Sequence, residues 1–115
     1  MTITRHDVGP RMSQVVVHGD TVYLAGQVAD DTSVGVGGQT EQILRKIDDR
    51  LASVGSDKSK LLSANLWISD MRYFNEMNAV WDAWVAPGDP PARACVEAQL
   101  AAPRYQVEIM VVAAL

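Results

Sequence analysis

Cysteine is almost missing from this sequence: Cys95 is the only one in 115 residues, so no disulfide can form within the chain. Nothing therefore points to an oxidising compartment. Histidine is nearly as scarce. The two present, His6 and His18, share no HxH, HExxH or CxxC spacing with each other or with Cys95, and no metal site is expected from them. Basic runs are also missing, and the formal net charge is -4. That balance argues against nucleic acid as the main partner, because phosphate-binding proteins gather Lys and Arg on one face. No apolar run approaches the roughly 20 residues that cross a bilayer, and no apolar leader-like segment opens the chain. The expectation is a cytoplasmic protein with no membrane contact. Neither GxxxxGK[ST] nor GxGxxG occurs, so the glycines at Gly35, Gly37 and Gly38 read as a connector and not as a phosphate cradle.

What is present is an ordinary globular composition, 48% hydrophobic and 21% charged, of a length that suits one domain over residues 1–115. Met1 to Met12 reads as an irregular or weakly extended arm containing the Gly9-Pro10 turn signal. Gln14 to His18 and Thr21 to Ala25 form a hairpin around Gly19-Asp20, ending at Gly26. Asp30 to Gly38 is a loop. Thr40 to Val54 is an amphipathic helix, with Ile43, Ile47, Leu51 and Val54 on its apolar side and Gly55 beyond its end. Leu61 to Ser69 alternates as a strand. A second helix, capped by Ser69 or Asp70, runs to about Ala86 with Phe74, Met77, Val80, Trp81, Trp84 and Val85 as its stripe. Pro87 to Pro91 stops it.

Two more apolar runs follow, Ala92 to Leu100 and Tyr105 to Ala114, and the short proline-containing link between them favours an antiparallel return. Alternation in the first puts Arg93, Cys95, Glu97 and Gln99 on one side and Ala94, Val96, Ala98 and Leu100 on the other. The order is β-β-α-β-α-β-β, an α+β chain with one mixed sheet and two helices on one face. Two helices cover only one face of such a sheet, yet the last strand is apolar on both sides. Tyr23 and Trp67 also lie opposite their neighbours' main apolar stripes. Partner subunits are expected to cover that second face, in a closed homo-oligomer.

For chemistry the informative residues are Arg93 and Glu108. An arginine among small apolar residues is costly unless its donors are used, and a carboxylate on a substrate satisfies it bidentately. Glu108, alone in a greasy strand, can orient water or pass a proton if desolvation raises its pKa. With their strands expected side by side, the two are expected to share a neighbourhood, and a purely structural ion pair between them, within or between subunits, accounts for the same pattern. Cys95 reads as a small buried hydrophobe, and a nucleophilic role for it requires a base such as His18 close by.

These residues carry a resemblance. Pro91-Ala92-Arg93-Ala94-Cys95-Val96-Glu97 followed by Val107-Glu108-Ile109 resembles the C-terminal signature of the YjgF/YER057c/UK114 (Rid) family, formerly called endoribonuclease L-PSP. Tyr23 to Val28 is similar to its segment at the end of the second strand, and Phe74 to Trp81 to its second-helix motif. The resemblance implies a chorismate-mutase-like fold assembled as a homotrimer with clefts between subunits. It implies hydrolysis of reactive enamines or imines, such as 2-aminoacrylate and 2-iminopropanoate, to 2-keto acids and ammonia without a cofactor. Arg93 would grip the substrate carboxylate and Glu108 hold or activate water, with Asn78, Cys95 and Gly26 lining the site. The family's arm tyrosine is replaced: Gly9-Pro10-Arg11-Met12 puts Arg11 or Met12 in its place, and Arg11 adds a second anion anchor suited to a larger or more acidic substrate. The chain looks closer to a short branch with a Trp81-Asp82-Ala83-Trp84-Val85 helix end. Non-catalytic binding of a small carboxylic metabolite in the same clefts, or ribonuclease or translation-inhibiting activity, are the alternative functions.

Overall fold

Most of these patterns are realised in a computed structural model, which describes residues 1–115. In chain order it contains β1 (Ile3–Val8), β2 (Ser13–His18), β3 (Thr21–Leu24), α1 (Val36–Ser53), β4 (Leu61–Ile68), α2 (Phe74–Trp84), β5 (Ala92–Glu97) and β6 (Val107–Ala114). The strands form one sheet ordered β1-β2-β3-β6-β4-β5. Only β4 and β5 pair in parallel, and every other pairing is antiparallel. The mixed sheet with two helices on one face is therefore as expected, with one strand more.

The local causes are legible. His18 faces Thr21 across the hairpin, and the turn places Gly19 at φ 61, where a side chain would be strained. Helix α1 starts earlier than its apolar stripe suggests, because Gly37 and Gly38 wind into its first turn. Its Gly35 cap has no side chain to offer, and the Oε2 of Glu76 on α2 accepts from the Gly37 N–H at 2.9 Å instead. A 3-10 turn over Met71–Tyr73, capped by Asp70, leads into α2. Ile43, Ile47 and Leu51 of α1 and Met77 and Trp81 of α2 pack on Val22, Leu24, Leu66, Ile109 and Val111 of the sheet in one core cluster. Each such aliphatic side chain contributes about 1.5–3 kcal/mol on burial.

Two expectations are corrected. The N-terminal arm is a strand along most of its length, paired with β2 from Ile3↔His18 to Val8↔Ser13. It is exposed at every position, so as a polar edge strand it carries no alternation to betray it. The second correction concerns the last two strands, which do not pair. β5 lies beside β4, in parallel from Ser63↔Ala92 to Ile68↔Glu97, and β6 inserts between β3 and β4. Helix α2 makes the crossover that a parallel β4–β5 pair requires. The more apolar β6 takes the central place and the small-residue β5 the edge. Because β3 and β4 both run antiparallel to β6, they run the same way, as the helix between them demands.

The sheet's other face has no helix over it. Val16, Tyr23, Trp67, Val96, Met110 and Val112 share it by register, and Tyr23, Val96 and Met110 are 42%, 50% and 38% exposed.

Candidate active site

The site residues fall into two groups, and strand parity decides which group each joins. Arg93 is in register with Ala64, a core residue, so its side chain leaves the sheet on the helix side. Its strand is the sheet edge, and the guanidinium there stays exposed. Nη1 donates to Asn78 Oδ1 at 2.7 Å, and Cζ lies 5.3 Å from the ring centre of Trp81. Both partners are on α2, three residues apart and hence on one side of the helix. No carboxylate pairs with Arg93: the ion pairs of the chain are Lys46–Asp30, Arg50–Asp7 and Arg72–Asp70. Cys95, two residues on, shares this side and packs against the core. Burial pushes its thiol pKa up, partly opposed by Arg93, so the thiol stays protonated at neutral pH. Strands β3, β6 and β4 separate it from His18, and the chain does not supply the base that a cysteine nucleophile needs.

Glu108 has the opposite parity. It is in register with Trp67 on the open face, half-buried, and the burial raises its carboxyl pKa. Gly26 lies directly against it. A Cβ at that position would overlap Oε2 and stand 3.1 Å from Cδ, so the close approach of backbone and carboxylate requires glycine. The neighbouring Gln27 pairs with Ile109 through two backbone hydrogen bonds, 2.9 and 3.1 Å, which hold this segment against β6. The Gln27 side chain is 3% exposed and fully used. Its Nε2 donates to Gln14 Oε1 and to the Ala25 carbonyl, and its Oε1 accepts from Arg50 Nε. Arg50 also reaches Asp7, at 3.2 Å, and so ties the strand preceding the β1–β2 turn to the same point. Arg11 and Met12 are in that turn, closed by Gly9 N–H to the Met12 carbonyl. Both are exposed and border a hollow of about 450 Å³ with Asp7, Pro10 and Gln14.

Arg93 and Glu108 thus leave opposite faces of one sheet, with β4 between their strands, and the expectation that they share a neighbourhood within the chain is corrected. Arg93, Asn78 and Cys95 come together. Gly26 and Glu108 come together, with Arg11 and Met12 in the turn held to the same segment. No group of three or more His, Cys, Asp or Glu is arranged to hold a metal ion. Sequence reasoning missed Trp81 under the guanidinium and Gln27 behind Gly26. The first was detectable from its spacing to Asn78. The second lies inside the Tyr23 to Val28 segment that carries the resemblance, but a glutamine after a glycine has no physical signal of its own.

Comparison with known proteins gives consistent matches. Residues 3–115 match the family described as Endoribonuclease L-PSP. A RutC family protein of Haemophilus ducreyi is 45% identical over 113 residues, which is 98% of this chain and 97% of the relative. A crystal structure of a Pseudomonas aeruginosa protein superposes with a TM-score of 0.96 at 45% identity, covering 98% of both chains. NMB1025 of Neisseria meningitidis, a member of the YjgF protein family, superposes with a TM-score of 0.96 at 44% identity, covering 99% of this chain and 95% of that one.

Proposed function

Because the chain belongs to the endoribonuclease L-PSP family, whose members include RutC and YjgF proteins, we propose that it hydrolyses small 2-imino acids or their enamines in clefts between subunits of a homotrimer. The observation that carries this reading is the separation of Arg93 from Glu108. Each is without an ion-pair partner, each is held by its own neighbours, and neither faces the other in one chain. A second copy laid on the apolar open face can bring the edge-strand arginine of one chain to the glutamate of the next. The face itself, with Tyr23, Val96 and Met110 exposed, favours such coverage.

In such a cleft the chemistry asks little of the protein. Arg93 has Nε and Nη2 free of protein partners to grip the substrate carboxylate bidentately. The imine carbon is already electrophilic. Glu108, with its pKa raised by burial, takes a proton from the attacking water and passes it to the imine nitrogen to give the carbinolamine; the same carboxylate then carries the carbinolamine hydroxyl proton to the amine as the C–N bond breaks, leaving a 2-keto acid and ammonia. No cofactor takes part. Cys95 and Asn78 line the arginine side, and Gly26 brings backbone close on the other. Arg11 offers a second cation, which extends the range toward substrates with an additional acidic group. No helix is long and apolar enough to cross a membrane, and the proposed setting is the cytoplasm.

The test is ammonia release from freshly generated 2-iminopropanoate and from an acidic homologue. Faster decay with protein than without supports hydrolysis. Unchanged decay together with saturable pyruvate binding would instead establish a non-catalytic carboxylate binder. RNA cleavage, the activity in the family's name, is disfavoured by the net charge of -4 and is tested by the same protein on single-stranded RNA.

A further inference from the structure

The Trp81-Asp82-Ala83-Trp84 end of α2 has no part in the proposed hydrolysis, yet it leads to the arginine on which that proposal depends. Trp81 is 5% exposed and lies beneath Arg93, with Cζ 5.3 Å from the ring centre. Trp84 packs on Trp81, with ring centres 5.4 Å apart and planes inclined at 53°. Trp84 is itself fixed, its Nε1 donating at 3.0 Å to Asp48 Oδ2 on α1. Lys58 lies over the Trp84 ring at 5.4 Å. A continuous stack therefore runs from α1 through α2 to the sheet edge, and ends under a cation.

We infer that Trp81 is a positioning residue for the carboxylate clamp, holding the Arg93 guanidinium by its ring while Asn78 fixes Nη1. The inference rests on the reading of Arg93 as the carboxylate-binding group. An exposed arginine on an edge strand would otherwise sample many rotamers and lose binding energy on ordering. A ring beneath and an amide acceptor to one side restrict both the position and the rotation of the guanidinium, so Nε and Nη2 are presented outward in advance. A cation–π contact at a partly exposed site corresponds to about a threefold to tenfold effect on affinity. The tryptophan also acts from behind the arginine, without touching the substrate, so it should alter carboxylate affinity and KM far more than kcat.

The experiment measures pyruvate affinity by calorimetry and 2-iminopropanoate kinetics for Trp81→Phe and Trp81→Met, each alone and combined with Arg93→Ala. Phenylalanine keeps an aromatic face; methionine fills space without one. The expected result is near-normal affinity for Trp81→Phe and an affinity about threefold to tenfold weaker for Trp81→Met, with kcat held. In the Arg93→Ala background, where the cation is gone, Phe and Met should differ little. Equal affinities for the Phe and Met variants in the presence of Arg93 would overturn the inference while leaving the clamp intact. A penalty for Met that persists undiminished in the Arg93→Ala background would also overturn it, because the tryptophan would then act through packing alone. Unchanged pyruvate affinity in Arg93→Ala would remove the clamp itself and the inference with it. Melting temperatures of all variants separate loss of affinity from loss of fold.

Discussion

The two halves of the candidate site are built by opposite means. On the helix side a charged group is kept wet and is oriented from outside its own strand: Arg93 is exposed, and its geometry comes from Asn78 and Trp81 on α2. On the open face a charged group is partly dried and is positioned by close backbone approach: Glu108 lies against Gly26, and Gln27 pins that segment to Ile109. The first arrangement suits recognition, because a hydrated guanidinium keeps its charge and offers a fork. The second suits proton transfer, because a desolvated carboxyl titrates closer to neutrality. One chain holds both, back to back across a sheet, and on the proposed reading assembly is what turns two incomplete sites into one.

That contrast can be broken at each half. Glu108→Gln should cause the largest loss, about 10²–10⁴-fold in kcat for imine hydrolysis with pyruvate affinity little changed. An equal loss of affinity would place the carboxyl in binding and not in proton transfer. Gly26→Ala should come next. A methyl group there displaces the carboxyl, and a misplacement of about 1 Å is worth up to about a hundredfold in rate. Steady-state kinetics of the alanine variant check this, and a rate equal to wild type would show that Glu108 works elsewhere. Arg93→Ala should weaken pyruvate binding by about tenfold to a hundredfold, read by calorimetry, while its exposure predicts an unaltered melting temperature and assembly state.

The smallest effect is on stability and sharpens the difference in solvation. Burial raises the folded-state pKa of Glu108 above its unfolded value, so the folded chain holds that proton more tightly. The resulting stabilisation is complete below the unfolded glutamate value and is lost as pH rises through the folded one. Asp31, Asp57 and Asp70, lowered by hydrogen bonds from Ser33, Ser59 and Arg72, shift stability the other way. Denaturation curves of wild type and Glu108→Gln isolate the single group. The wild-type advantage should shrink as pH increases from the ordinary glutamate range upward. A flat difference would mean that a cation from a neighbouring chain already offsets the burial.

Why these halves were only partly legible follows from what strand patterns encode. Alternation correctly separated Arg93, Cys95 and Glu97 from Ala94 and Val96, and the period of α1 correctly selected Ile43, Ile47 and Leu51 for the core. Alternation within a strand says nothing about which strand lies beside it. The short link Ala101 to Arg104 made β5 and β6 look like a hairpin, whereas β4, eight residues of it, separates them. With the neighbour misassigned, an arginine and a glutamate on opposite faces read as a pair. The open apolar face was legible from Tyr23, Trp67 and the two-sided β6, because an apolar count on both sides of a strand does not depend on its neighbours. Strand β1 escaped notice for the converse reason. Thr4, Arg5, His6 and Asp7 have no apolar face to alternate.

The claim that a working site needs two chains is tested most directly by mixing the two impaired variants at low substrate concentration. Arg93→Ala and Glu108→Gln chains, denatured together and refolded as a mixture, still contain an intact Glu108 on the first and an intact Arg93 on the second. Imine hydrolysis should reappear in the mixture, well above the sum of the two variants refolded apart, because some clefts then combine the two intact halves. A mixture that co-assembles and yet is no more active than the sum of its components would contradict the account.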